Sequence, residues 1–208
     1  AKVRGNGEIF PLNGPSWSLF FECIANILYA LFLRRLPTKW LKTLVIVSGI
    51  GYASFAIFNG SGSYNMGVGW TLAENNFIGG LLRVTFTFST GLLLSKNFRP
   101  INIKGAFWIC SAMIIALLSV PYIGNEANML NGLYDTVCTL FLFPLIVYMG
   151  ASGSSEDKSS DGTSAKICSF LGDISYPLYI IHYPLMYLFY AWVWKNGLTF
   201  AQAWPAAA

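Results

Sequence analysis

The sequence predicts an all-α fold, a polytopic transmembrane helix bundle of about six spanning helices. Three observations carry that expectation. Of the 208 residues, 55% are hydrophobic and 11% charged, with a mean hydropathy of +0.54, whereas a soluble domain carries roughly 25% charged residues. The apolar residues fall into runs of about 17–25 residues, the length a bilayer core requires. None of these runs alternates with a period of two, as a membrane barrel strand would. Backbone in lipid must satisfy its own hydrogen bonds, so such runs are helices.

Six runs meet the requirement: residues 16–33, 40–58, 76–94, 106–122, 131–150 and 174–194. Pro37 and Pro100 interrupt the chain just after the first and third, and Asn59-Gly60-Ser61-Gly62-Ser63 marks a loop after the second. Residues 151–166 hold six serines with Glu156, Asp157 and Asp161, which reads as a polar, flexible loop within a single membrane domain. Arg34, Arg35, Lys39 and Lys42 lie between the first two runs, and Lys96, Arg99 and Lys104 between the third and fourth. The loops at 59–75 and 123–130 carry Glu74 and Glu126 but no Lys or Arg. The positive-inside rule places the basic loops in the cytoplasm. Topology accounts for the net charge of +4, so nucleic acid is not an expected partner; the lipid bilayer is. Cys23, Cys110, Cys138 and Cys168 share no metal-ligand or redox spacing. They read as free thiols packed as small hydrophobes, with no metal site.

Polar groups inside lipid are costly and mark either interhelical glue or function. In the first run Ser18, Glu22 and Asn26 are spaced by four and share a helix face with Trp17 nearby. They form either a buried hydrogen-bonded seam or a substrate-binding face with a catalytic carboxylate. In the third run Arg83 shares a face with Thr87 and Thr90. It either snorkels outward, or pairs with a carboxylate such as Glu22, or binds substrate. In the sixth run Ser175, Tyr179 and His182 fall on one side of a helix, and His182 is the chain's one histidine. Pro177 fits a first helical turn, whereas Pro184 leaves the Ile180 carbonyl without its helical donor. Tyr176, Tyr179, Tyr183, Tyr187 and Tyr190 form a stripe that packs and anchors the helix. Asp135 reads as a capping or interfacial residue.

Two stretches carry a family resemblance. Pro11-Leu12-Asn13-Gly14-Pro15-Ser16-Trp17-Ser18-Leu19-Phe20-Phe21-Glu22 resembles the Trp-Ser-Leu-x-x-Glu segment of the acyltransferase-3 membrane family. Leu171-Gly172-Asp173-Ile174-Ser175-Tyr176-Pro177-Leu178-Tyr179-Ile180-Ile181-His182-Tyr183-Pro184 is similar to that family's last core helix, and Gly79-Gly80-Leu81-Leu82-Arg83 to a middle one. The resemblance implies an O-acyltransferase of the bacterial inner membrane. Such an enzyme moves an acyl group, commonly acetyl, from acyl-CoA to a hydroxyl of a carbohydrate or exopolysaccharide, with no tightly bound cofactor.

It further implies a core of about ten helices, so the 208 residues are expected to be the carboxy-terminal part of a longer enzyme and inactive alone. The family's amino-terminal helix, with an Arg and a His as base, has no counterpart here. His182 and Glu22 are the catalytic candidates, and with Arg83 they are expected to line one shared cavity. Trp17, Ser18, Asn26, Arg83, Tyr176 and Tyr179 are the substrate-binding ones. A transporter or flippase for a lipid-linked sugar and a non-catalytic membrane subunit remain the alternatives; the lack of paired repeat halves counts against transport.

Overall fold

A computed structural model describes residues 7–124, 128–153, 163–199 and 202. Among them the fold is a helical membrane bundle. In chain order it comprises α1 (Ser16–Leu31), α2 (Thr38–Ile57), α3 (Glu74–Asn97), α4 (Ala106–Leu118), α5 (Met129–Val137), α6 (Phe143–Ala151) and α7 (Thr163–Lys195). A π-helical turn, Cys138–Leu142, joins α5 to α6, so one rod runs from Met129 to Ala151. Six rods thus stand where six apolar runs were expected. By length and composition three of them, Thr38–Ile57, Asn75–Asn97 and Met129–Ala151, suffice to cross a bilayer, while α1 and α4 are shorter apolar helices.

The ends follow from local chemistry. Leu36 is held extended by the proline after it (φ −66°, ψ 128°) and Pro37 caps α2. Asn128 caps α5 by accepting from the Leu130 N–H. Gly105 precedes α4 in the left-handed region, φ +69°. Pro121 lies three residues beyond the end of α4, which stops at Leu118 rather than at 122. Pro144 stands in the first turn of α6, where it withholds a donor from the preceding turn, and the chain widens there into the π turn.

Two expectations need correction. Helix α7 begins at Thr163, so the polar loop assigned to 151–166 is already helical at its far end; residues 154–162 of it lie outside the described residues. Pro177 is consequently interior to α7, as is Pro184, and not part of a first turn. The tract from Thr163 to Asp173 carries helix-compatible residues that the apolar-run criterion could not register.

The chain forms two compact units, Ala1–Trp17 with Asp157–Ala208, and Ser18–Glu156. In the second, α2 packs on α3 and α5, and α4 on α6. Its core gathers Tyr52, Ala56, Met66 and Val68, with Phe55 and Leu140 against them. The arrangement puts small polar groups inside and large apolar ones outside. Ser48 and Thr136 are buried and bond back to the carbonyls of Leu44 and Gly132, each at 2.7 Å. Ile46, Val47 and Ile50 form an exposed stripe along α2, which lipid covers. Of the thiols, Cys110 and Cys138 are buried and Cys23 is exposed.

Met66 and Val68 belong to the segment between α2 and α3, yet they are 3% and 4% exposed. That segment folds down among the helices. Glycine permits the approach: a Cβ on Gly79 would lie 2.4 Å from Val68 Cγ2, and one on Gly80 would lie 2.9 Å from the Gly69 Cα. The same holds between α5 and α2, where a Cβ on Gly132 would stand 2.4 Å from the Ala56 carbonyl oxygen. Backbone cannot yield as a side-chain tip can, so Gly132→Ala is expected to destabilise the bundle by about 1–3 kcal/mol. Gly91, with nothing within 4 Å of its added Cβ, is the matched control. Gly91→Ala should be neutral or stabilising by up to about 1 kcal/mol. Thermal unfolding of both variants in detergent or nanodiscs reads the difference.

Candidate functional site

The first constellation lies within one unit, between the segment preceding α1 and the middle of α7. Pro184 has no N–H, so the Ile180 carbonyl loses its helical partner. Asn13 fills the gap: its Nδ2 donates to the Ile180 oxygen at 3.0 Å. Tyr179 reaches the same segment, its hydroxyl donating to the Pro15 carbonyl at 3.2 Å. Gly14 lies against the Tyr183 ring so closely that an added Cβ would be 3.0 Å from Cε1. The two stretches that carry the sequence signature are thus docked on one another.

His182 sits on this turn, half-buried. Its ring packs edge-on against Tyr183 at 5.2 Å and tilted against Tyr179 at 5.7 Å. Its Nδ1 lies 3.2 Å from the Leu178 carbonyl oxygen. A carbonyl only accepts, so in this contact Nδ1 is the donor. A neutral imidazole with one nitrogen fixed by a backbone oxygen is equipped to take a proton on the other. The tyrosine stripe continues with Tyr183 and Tyr187, edge to face at 5.3 Å, which suits its packing role. Tyr176 is exposed, and Ser175 donates to the Gly172 carbonyl at 2.7 Å.

The second constellation lies within the other unit and holds the inward-folded segment. Arg83 donates from Nη1 to the Met66 carbonyl at 3.0 Å, and the Met66 N–H donates to Asp135 Oδ2 at 3.1 Å. The guanidinium and the carboxylate lie near enough to attract. Opposite charges on α3 and α5 therefore grip the two ends of one residue's backbone. Asn76, one turn into α3, extends the grip: its Oδ1 accepts from the N–H groups of Gly69 at 2.7 Å and Thr71 at 3.0 Å. Asp135 also lines a cleft of about 230 Å³ with Leu117, Val120, Tyr122 and Tyr134. Asp135 is thus not the cap of α5, a role Asn128 fills; it bonds a buried backbone far away in sequence.

The remaining candidates are placed as follows. Trp17 and Ser18 are half-buried at the start of α1, and Glu22 and Asn26 are exposed on it. Asn26 donates to the Glu22 backbone carbonyl at 2.9 Å, and Thr87 to the Arg83 carbonyl, also at 2.9 Å. Asp135 is a carboxylate that lies in Arg83's electrostatic surroundings. Asn13 and Asn76 are the residues to which sequence reasoning gave no role, and Asp135 was read there as a capping or interfacial residue. A signal existed for one of them, since Asn76, Gly80 and Arg83 follow helical spacing and share a face.

No curated protein and no solved structure matched the chain. The acyltransferase-3 family, described as an acyltransferase domain, matches residues 4–208. Nearly the whole sequence is covered, and both docked stretches fall inside the match. The chain belongs to the acyltransferase-3 family and is a membrane acyltransferase.

Proposed function

We propose that the protein is an O-acyltransferase that moves an acyl group, acetyl in the simplest case, from acyl-CoA to a carbohydrate hydroxyl such as that of an exopolysaccharide. It would work as a multi-pass protein of the bacterial inner membrane. The observation that carries this reading is the His182 turn, where Nδ1 is held 3.2 Å from the Leu178 carbonyl oxygen. In the proposed step Nε2 takes the proton of the acceptor hydroxyl as its oxygen attacks the thioester carbonyl. The tetrahedral intermediate collapses, the carbon–sulfur bond breaks, and the departing thiolate recovers the proton from the imidazolium. The products are an ester and free coenzyme A, with no cofactor consumed.

The other roles follow from position. Glu22, with Ser18 and Asn26 on the same helix α1 and Trp17 just before them, is a candidate group for binding a hydroxyl-bearing substrate. Tyr179 packs against the histidine on α7, and Tyr176 is exposed on the same helix. Arg83 is engaged with Met66, so its contribution to substrate binding is to shape the wall rather than to grip the ligand. Basic loops bearing Arg34, Arg35, Lys39 and Lys42 suit the phosphates of coenzyme A.

The test is an assay of the full-length protein in membrane vesicles with acyl-CoA labelled in its acyl group and a lipid-linked or polymeric carbohydrate acceptor. Label is expected in ester linkage to the carbohydrate. A transporter would instead move the carbohydrate across the vesicle membrane and leave it unlabelled.

A further inference from the structure

We propose that Asn13 is a positioning residue: its side-chain amide supplies the hydrogen-bond donor that Pro184 withholds from the Ile180 carbonyl, and so fixes the turn of α7 that orients His182. The inference rests on the catalytic reading of His182 for its consequence in activity, but its geometry stands alone. A proline inside a helix removes one hydrogen bond and pushes the preceding turn outward, so the turn before it is the least determined part of the helix. In α7 that turn contains His182.

The segment before α1 makes it determinate. Asn13 closes the orphaned carbonyl at 3.0 Å. Pro15 receives the Tyr179 hydroxyl, and Gly14 admits the Tyr183 ring. Tyr179 and Tyr183 are the two rings against which the imidazole rests. Asn13 thereby fixes the backbone, and its two neighbours fix the walls. The amide is retained although its own Oδ1 is buried without a partner among the described residues. An unmet buried acceptor costs about 1–3 kcal/mol, a cost an apolar side chain would avoid, so the position is occupied for its donor. No other side-chain amide is needed for the turn. The sequence places an Asn-Gly-Pro tripeptide where a donor, a close approach and an accepting carbonyl follow in succession.

The experiment exploits the proline. In Pro184→Ala the restored N–H can reach the Ile180 carbonyl, which makes the Asn13 donor redundant. The full-length protein is labelled with nitrogen-15 histidine in lipid nanodiscs, and the His182 ring resonances are assigned by their loss in His182→Gln. In the unaltered protein they should report one neutral tautomer, protonated on Nδ1. Asn13→Ala should give a tautomer mixture and lower kcat about 10–100-fold with little change in KM for the acyl donor. Asn13→Ala combined with Pro184→Ala should return both readouts to the level of Pro184→Ala alone. If Asn13→Ala does not fold, the comparison within the Pro184→Ala background still reads the coupling. The proposal is overturned if Asn13→Ala leaves the tautomer unchanged, or if its effect is as large with alanine at 184 as with proline. His182→Gln is read by transfer alone: retained transfer overturns the catalytic reading, and the resonances then judge Asn13 separately.

Discussion

Replacing Arg83 with alanine is expected to lower the thermal stability of the protein by about 5–10 °C, the largest structural effect of any single polar substitution in the bundle. Two losses combine. The Met66 carbonyl, on a residue 3% exposed, forfeits its charge-assisted donor, and hydrogen bonds to charged groups contribute about 1.5–3 kcal/mol. The Asp135 carboxylate also loses the guanidinium that offsets its partial burial, and an unpaired charge there is costly. For a chain of this size about 1 kcal/mol corresponds to roughly 2–4 °C. Asp135→Ala should be destabilising as well, because it strands the Met66 N–H. The two substitutions should be non-additive, since both release the same peptide. Thermal unfolding of the two single variants and the double variant in nanodiscs tests this; strict additivity would mean that the clamp is not a unit.

His182→Gln should reduce kcat by roughly 10²–10⁴-fold, the range expected for loss of a general base. KM for the acyl donor should change little if the histidine acts only on the acceptor's proton. Glutamine keeps a donor that can reach the Leu178 carbonyl, as Nδ1 now does, so the fold of α7 is preserved and the loss is chemical. Steady-state transfer to a saturating acceptor measures it. A variant that turns over at the normal rate would transfer the role of base to another residue.

The helical bundle was legible because lipid imposes a strong rule on sequence: long apolar runs, polar loops and proline at the ends. The first five rods lie within a few residues of the runs that predicted them, and the sixth, α7, ends within a residue of its run but starts at Thr163 rather than at 174. What the runs could not register was regular structure without an apolar signal, as in the amino-terminal third of α7 beginning at Thr163. Nor could they register the π turn at Cys138–Leu142, for which Pro144 was the available clue.

The fate of the segment between α2 and α3 was hidden for a different reason. Its glycines, serines and asparagines read as a surface loop, and Met66 and Val68 are too few to make a run. Their burial depends on partners from α3 and α5 that are distant in sequence. For the same reason Asp135 resembled a cap. The α7 site was half legible. Pro184 announced an orphaned carbonyl at Ile180, but nothing local says that the donor is Asn13, 167 positions away. The tertiary fold supplies that pairing, and it joins the two stretches by which the family was recognised.

The most direct measurement is a dipolar coupling in lipid between nitrogen-15 in the Asn13 side-chain amide and carbon-13 in the Ile180 carbonyl. A hydrogen-bonded geometry, with 3.0 Å between Nδ2 and the carbonyl oxygen, requires a weak but measurable through-space coupling in the resting protein, and its disappearance in Asn13→Ala confirms the assignment. If the two labels show no coupling, the segment before α1 does not dock on the proline-broken turn, and the account of how His182 is held loses its basis.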